Sequence, residues 1–188
     1  LDYELGLFQP HYNHYLSRYN RVVSQRNNLL REIREKRTKN NTLQAWNEQL
    51  GRYGAKVLLF RLELLKKFSP QLRQLHLQLT TGRENLELRY HSSFKATNMC
   101  SEEELFNQYL EALNAVQEEE IARAQTLIGP HRDDLSFFLN GVDAKTYGSQ
   151  GQQRTIILTL KIAQILQWKN DVNEYPVLLL DDVLQELD

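Results

Sequence analysis

Tyr147-Gly148-Ser149-Gln150-Gly151-Gln152-Gln153-Arg154 runs directly into the mostly apolar stretch Thr155 to Trp168, which predicts a loop turning into a helix. Ser149 and Gln152, three residues apart, form a capping box: the hydroxyl accepts from the N–H of Gln152 while the amide reaches back to the N–H of Ser149. Gly148 and Gly151 lack side chains, so a ligand can approach the backbone closely. A helix start with unpaired N–H groups, a hydroxyl and no nearby carboxylate is a cradle for a phosphate. Most capped helix starts are caps and nothing more, so this loop decides nothing alone.

The second deciding stretch is Tyr175-Pro176-Val177-Leu178-Leu179-Leu180-Asp181-Asp182-Val183-Leu184-Gln185-Glu186-Leu187-Asp188. Val177 to Leu180 predicts a strand buried on both faces, as in a parallel sheet, with Asp181 and Asp182 emerging at its carboxyl end. One carboxylate there suits Mg²⁺ on a nucleotide and a second can orient an attacking water. An acidic loop beyond a buried strand would read the same way. Weight comes from the pairing: Asp181 follows Ser149 by 32 residues, with one mostly apolar helix between them.

Outward from these stretches, the first half of the chain is helical. Tyr12, Tyr15, Leu16, Tyr19, Val22, Val23, Leu29, Leu30 and Ile33 recur at helical spacing and predict one helix from about 11 to 38. Leu43, Trp46, Leu50, Tyr53, Val57 and Leu64 predict a second, ending near Phe68, after which Ser69 caps and Pro70 opens a shorter helix carrying Leu72, Leu75 and Leu79. The short polar link between the two long helices predicts an antiparallel pair. Leu86-Glu87-Leu88-Arg89-Tyr90 alternates as a half-exposed strand; Ser101 with Glu104 boxes the start of a helix reaching about 127; Leu135 to Leu139 with Asn140-Gly141 predicts a strand and hairpin turn. Glycine and proline return as punctuation from Gly129-Pro130 onward, placing a boundary near 128.

Charge is uneven although the net is -1: residues 1–67 hold 13 Lys/Arg against 6 Asp/Glu, and residues 68–128 and 129–188 each hold 5 against 9. Arg18, Arg21, Arg31, Arg34, Lys36, Arg37 and Lys39 make one face of the first helix basic, enough to steer a phosphate backbone, although a solvated face has the same pattern. No recognition-helix or finger signature accompanies it, so any nucleic-acid contact is expected to be insensitive to base sequence. The single cysteine, Cys100, excludes a disulfide framework and a cysteine zinc site and fits a reducing cytosol. His131, Arg132, Asp133 and Asp134 suggest an Arg132–Asp133 ion pair more than a metal site, for which no third ligand is fixed. Even Val57 to Leu65 is interrupted by Arg61 and Glu63, so no run spans a membrane. The sequence opens at Leu1 without a basic stretch followed by an apolar one, and it stops at Asp188 directly behind a buried-looking strand and turn, so it is expected to be a fragment of a longer chain.

The serine loop, the helix and the aspartate strand resemble the head of an ABC-type ATPase, as signature motif, Walker B strand and D-loop. The resemblance is closer to the RecF family of bacterial recombination-repair ATPases. It is carried by Gly129-Pro130-His131-Arg132-Asp133-Asp134-Leu135, by Asp143-Ala144-Lys145-Thr146-Tyr147 running into Gly148 to Arg154, and by Val177 to Asp188. Ser17-Arg18-Tyr19-Asn20-Arg21-Val22, Trp46-Asn47-Glu48-Gln49-Leu50 and Gly54-Ala55 resemble that family's helical arm.

The resemblance implies an α+β, mainly α chain: a helical arm of antiparallel long helices (1–128) joined to part of an ABC-type head (129–188). It implies that Ser149, Gln150 and Gly151 contact the γ-phosphate of ATP held by the opposite subunit, with Gln152 and Arg154 supporting the loop. Asp181 becomes the Mg²⁺ ligand, Asp182 the catalytic water-orienting base, and Gln185 and Asp188 D-loop residues at the dimer interface. Gln150 stands where ABC proteins usually have glycine and Asp182 where they usually have glutamate, both features of RecF; Gln185 replaces the usual D-loop serine. Implied partners are DNA, through Arg18, Arg21, Arg31, Arg34 and Arg37, a second copy of the chain in an ATP-dependent homodimer, RecR and, indirectly, RecA, in the cytoplasm. No G-x-x-x-x-G-K-[ST] loop occurs in the 188 residues, so the chain holds the trans half of a nucleotide site without the cis half and is expected to be inactive in ATP turnover by itself. Rival readings are another SMC-like genome-maintenance ATPase, which would need a far longer coiled coil, and a non-catalytic helical interaction module.

Overall fold

A computed structural model of the chain describes residues 2, 5, 6, 9–38, 42–94 and 101–172. It is mostly helical with a small sheet, in the order α1 (Pro10–Arg34), α2 (Leu43–Leu79), β1 (Leu86–His91), α3 (Glu102–Ala115), α4 (Gln117–Arg123), β2 (Asp134–Leu139), β3 (Val142–Asp143), α5 (Ala144–Tyr147) and α6 (Gln150–Val172). The chain divides into two compact units, one of residues 1–63 with 92–134 and one of residues 64–91 with 135–188.

In the first unit α1 opens on Pro10, whose missing N–H costs nothing at that position, and closes with Arg31 and Arg34 in its last turn, where cations oppose the negative helix end. Its buried stripe is Tyr12, Tyr19, Val22, Arg26, Leu30 and Ile33, an apolar face with one arginine in the middle. Tyr12 meets Phe60 edge-on at 5.9 Å, Lys56 lies 4.8 Å over the Tyr15 ring, and Arg26 bonds Asn47 at 2.7 Å. Partner numbers fall along α2 as they rise along α1, so the two helices are antiparallel, as their short link predicts.

Ser101 and Glu104 form the expected capping box at the start of α3, whose Leu105, Tyr109 and Leu113 are buried. That helix does not continue unbroken to about 127. It ends at Val116, the short α4 restarts at Gln117, and Ala124 closes it in the left-handed conformation. Past Leu113 the fully buried helical residue is Glu120, hydrogen-bonded to Arg26 and to Leu127 N, while Ile121 beside it packs against Leu30, Ile33 and Leu43.

Tyr109 and Tyr19 pack closely against bare backbone: a Cβ on Gly54 would stand 2.5 Å from a Tyr109 ring carbon, and one on Gly129 would overlap both hydroxyls. Gly129 also has φ +120°, a region L side chains avoid. Gly129→Ala is expected to lower stability by about 3 kcal/mol, combining backbone strain with overpacking. Gly82→Ala, at φ +78° with nothing within 4 Å, carries the strain without the clash. Urea unfolding should therefore rank Gly129→Ala well below Gly82→Ala; equal losses would refute the packing argument.

In the second unit the strands run in the order β1-β2-β3. β2 and β3 are antiparallel, with Phe138 opposite Asp143 and Leu139 opposite Val142. Asn140 (φ 51°) and Gly141 (φ 84°) supply the two positive angles of the expected tight turn. β1 alternates from buried Leu86 outward as predicted. Leu72, Leu86, Leu139, Ala144, Ile156 and Ala163 form the core, with Phe68, Leu75, Leu88, Phe137 and Leu160 packed on it.

Pro70 does not begin a new helix. It lies inside α2, which runs unbroken to Leu79. An interior proline costs about 3 kcal/mol, and burial of Leu72, with Phe68 and Leu75 on the same cluster, offsets it, since each buried side chain of this size contributes roughly 1.5–3 kcal/mol. Among the described residues no helix is long and apolar enough to cross a membrane.

Candidate functional site

The serine loop lies in the second unit. Asp143 caps the short α5, accepting from Thr146 N at 2.8 Å, and that bond holds its carboxyl below the usual carboxylate range. Gly148 follows because a Cβ there would collide with the Ala144 carbonyl. The capping box is present in both directions: Ser149 N donates to Gln152 Oε1 at 2.9 Å, and Gln152 N donates to Ser149 Oγ at 3.2 Å. α6 extends over 23 residues, beginning at Gln150 rather than Thr155, and carries no acidic residue in its first turn, but a carboxylate is near after all: Glu84, distant in sequence, accepts from Gln152 Nε2 at 2.9 Å.

This geometry defines the loop's chemistry. Ser149 Oγ accepts within the box and keeps its own hydrogen to donate. The N–H groups of Gln150 and Gly151, the first two of the helix, have no acceptor one turn back. Ser149 and Gln150 are exposed, and a Cβ on Gly151 would meet only Ser149 Oγ at 3.9 Å, so the face is open. Hydroxyl and N–H donors at the positive end of a long helix bind an anion such as phosphate. Arg154 is half-buried one turn along the same helix. Gln153, which the sequence motif does not single out, gathers the preceding turn by donating to the Ala144 carbonyl at 3.1 Å and the Gly148 carbonyl at 3.2 Å.

Asp181, Asp182, Gln185 and Asp188, with the strand Val177 to Leu180, lie outside the described residues, as does Cys100. Among the described residues no group of three or more His, Cys, Asp or Glu is arranged to hold a metal ion.

In the first unit Arg18, Arg21, Arg31, Arg34 and Arg37 are all exposed on α1 or just beyond it. Arg37 pairs with Glu35 at 3.1 Å, an exposed contact with little hold on either side chain. Arg26, part of the same basic count, is different: it is fully buried and bonds Asn47, Thr126 and Glu120. It contributes to the core and not to the basic surface.

The His131 cluster braces backbone. His131 Nδ1 meets the Tyr19 hydroxyl at 2.7 Å and Nε2 the Thr126 carbonyl at 3.3 Å, and burial pushes its imidazole below the ordinary value. Arg132 also donates to the Thr126 carbonyl, while Asp133 accepts from Ser93 N and Oγ, each at 2.7 Å. Burial likewise pushes the Tyr19 and Tyr109 phenols up. His76 is fully buried in the second unit and hydrogen-bonded on both ring nitrogens.

No family model matches the chain. Along its whole length it is similar to the DNA replication and repair protein RecF of Pelotomaculum thermopropionicum, at 58% identity over 188 residues and 52% of that protein. It is similar also to the DNA replication and repair protein RecF of Bacillus subtilis, at 42% over 189 residues and 51% of that protein. A solved structure described as the recombination mediator protein RecF with ATP in the RecFOR pathway matches all of the chain at TM-score 0.91 and 32% identity, over 50% of that chain. The chain thus spans about half the length of the curated relatives it matches.

Proposed function

This chain is a RecF homologue over all of its 188 residues, and on that footing we propose that it serves DNA replication and repair as one half of an ATP-dependent DNA-binding protein. The carrying observation is the Ser149 loop, a closed capping box that leaves a hydroxyl and two N–H groups open at the start of a 23-residue helix. A RecF structure with ATP as a neighbour supports a nucleotide as the anion.

In this proposal Ser149 and the N–H groups of Gln150 and Gly151 donate to the γ-phosphate of ATP bound by a second copy of the chain, while Gln152 and Arg154 keep the loop in shape. Donors aimed where charge accumulates lower the barrier to phosphoryl transfer and join the two copies only when ATP lies between them. Asp181 would hold Mg²⁺, which supplies charge neutralisation at the phosphates when bound, and Asp182 would orient the attacking water. Gln185 and Asp188 would line the contact between copies. Residues 1–128 act as a helical arm, and residues 129–188 as the signature and Walker B portion of a head. RecR and RecA are the partners downstream, in the cytoplasm.

The exposed Arg18, Arg21, Arg31, Arg34 and Arg37 bind DNA phosphates without reading bases. Arg31→Ala, Arg34→Ala and Arg37→Ala together, in the full-length protein, are expected to weaken DNA binding and flatten the log-log salt dependence by roughly 0.9 for each phosphate no longer neutralised. A titration across salt concentrations measures this, and an unchanged slope would move the DNA off this helix.

A further inference from the structure

Behind the Ser149 loop lies a hydrogen-bonded chain that the motif does not announce, and all of it belongs to the second unit. His76, fully buried near the end of α2, meets Thr159 Oγ1 through Nδ1 at 2.9 Å and Glu84 Oε2 through Nε2 at 3.2 Å. The other oxygen of Glu84 accepts from Gln152 Nε2 at 2.9 Å. Gln152 is the residue whose amide and backbone close the capping box on Ser149. The backbone of Glu84 is itself tied to the end of α2, donating to Thr80 Oγ1 at 3.3 Å, and Thr80 in turn donates to the His76 carbonyl at 2.8 Å.

Donor counting gives this chain a direction. Thr159 Oγ1 donates to the Thr155 carbonyl at 2.7 Å, so toward His76 it accepts, and Nδ1 carries a hydrogen. A carboxylate oxygen only accepts, so the edge of the Gln152 amide facing Oε1 of Glu84 is its NH₂. The amide carbonyl is then turned to the N–H of Ser149. The reversed amide would set NH₂ against that N–H and open the box. With the box closed, Ser149 Oγ is occupied as an acceptor and keeps its own hydrogen to donate.

We propose that Glu84, braced by His76, is a positioning residue of the Ser149 loop: it holds the Gln152 amide in the one orientation that presents the Ser149 hydroxyl, with the N–H groups of Gln150 and Gly151, to a phosphate. The inference rests on the reading of that loop as the contact to ATP on a second copy. Glu84 itself touches no substrate. Its effect passes entirely through Gln152, and this separates positioning from a general contribution to stability.

A double-mutant cycle in the full-length protein tests it, with steady-state ATP turnover, binding of a fluorescent ATP analogue and thermal unfolding as readouts. Glu84→Ala is expected to lower kcat about tenfold, the size of one charge-assisted hydrogen bond, with single-subunit nucleotide affinity within about twofold of the parent. Glu84→Gln, whose carbonyl can still take the Gln152 N–H, should recover most of the loss. Gln152→Ala should cost as much as Glu84→Ala, and the two together little more than either, because the second change removes nothing the first left working. Losses that multiply, or a Glu84→Ala enzyme with parental kcat, overturn the proposal. If Glu84→Ala unfolds, Glu84→Asp, too short to reach Gln152, carries the same cycle. Ser149→Ala is the separate control: parental turnover in that variant fells the loop reading and this inference with it, whereas impaired Ser149→Ala beside unaffected or merely additive Glu84 variants fells the positioning role alone.

Discussion

Glu120→Ala is expected to destabilise the fold by about 3–5 kcal/mol, the usual cost of removing one partner from a buried ion pair. Arg26 and Glu120 are both fully buried, with Arg26 NH2 on Glu120 Oε2 at 2.5 Å. The carboxylate's other oxygen accepts from Leu127 N at 2.8 Å. The rest of the guanidinium is used as well, Nε on Asn47 at 2.7 Å and NH1 on Thr126 at 2.9 Å. Removing Glu120 leaves a desolvated cation without its counter-charge and a backbone N–H without an acceptor. Pairing Arg26→Met with Glu120→Leu removes both charges, so the double variant should be more stable than the sum of the singles predicts by about 2 kcal/mol or more. It should stay below the parent, because Leu127 N and Asn47 still lose partners. By contrast, Glu119→Ala, which breaks the exposed pair with Arg123, should change stability by less than about 0.5 kcal/mol. Urea unfolding of the set decides the matter: additive singles would mean that the two charges do not sense each other in the fold.

That buried pair shows where the sequence is legible and where it stops being so. Both capping boxes, at Ser101 and Ser149, and the Asn140-Gly141 turn are readable because each is settled within a few residues by donors and acceptors the sequence displays. The burial of Arg26 is not legible, because its partner Glu120 lies 94 residues away and nothing local to either announces the meeting. Pro70 misleads for the same reason. A proline reads as a helix start by local rules, and the core against which Phe68, Leu72 and Leu75 pack includes Leu139 and Ile156 from much later in the chain. At the candidate site the serine loop is legible as a motif, while Glu84 and His76 behind it are not, since a lone glutamate after a helix and a lone histidine within one fit many surface positions equally well. Gln153 adjoins the motif and still escapes a reading of it, because its three carbonyl acceptors exist only once the turn through α5 is formed.

If Ser149 meets the γ-phosphate of ATP on a second copy, as proposed, Ser149→Arg in the full-length protein should abolish ATP-dependent dimers while leaving nucleotide binding by a single subunit nearly intact, since the bulky side chain would then fill the phosphate's docking position. Ser149 is exposed at the start of α6, so the substitution disturbs the core little; its cost to the fold is the lost cap, about 1 kcal/mol. If Asp182 orients the attacking water, as proposed, Asp182→Asn should act in the opposite sense, taking away that carboxylate and its negative charge, so that ATP-bound dimers form and persist while hydrolysis stalls. Each variant alone should turn over ATP at a few per cent of the parental rate or less, on the scale of removing a catalytic donor or base. Mixing them is the informative case. In a heterodimer the ATP on the Ser149→Arg subunit meets an intact serine loop from its partner and an intact Asp182 of its own, so that site should recover turnover. The ATP on the Asp182→Asn subunit faces an arginine-blocked loop and lacks its own base, so that site stays silent. Turnover in the mixture should therefore rise with the heterodimer fraction, measured by crosslinking, toward half the parental rate per dimer. If heterodimers form and nothing is recovered, either Ser149 does not act on the opposite subunit's ATP or the two sites cannot fire independently. A single-turnover experiment on the heterodimer separates these: one fast turnover followed by arrest means coupled sites with Ser149 acting in trans, and no turnover at all removes Ser149 from the other subunit's phosphate.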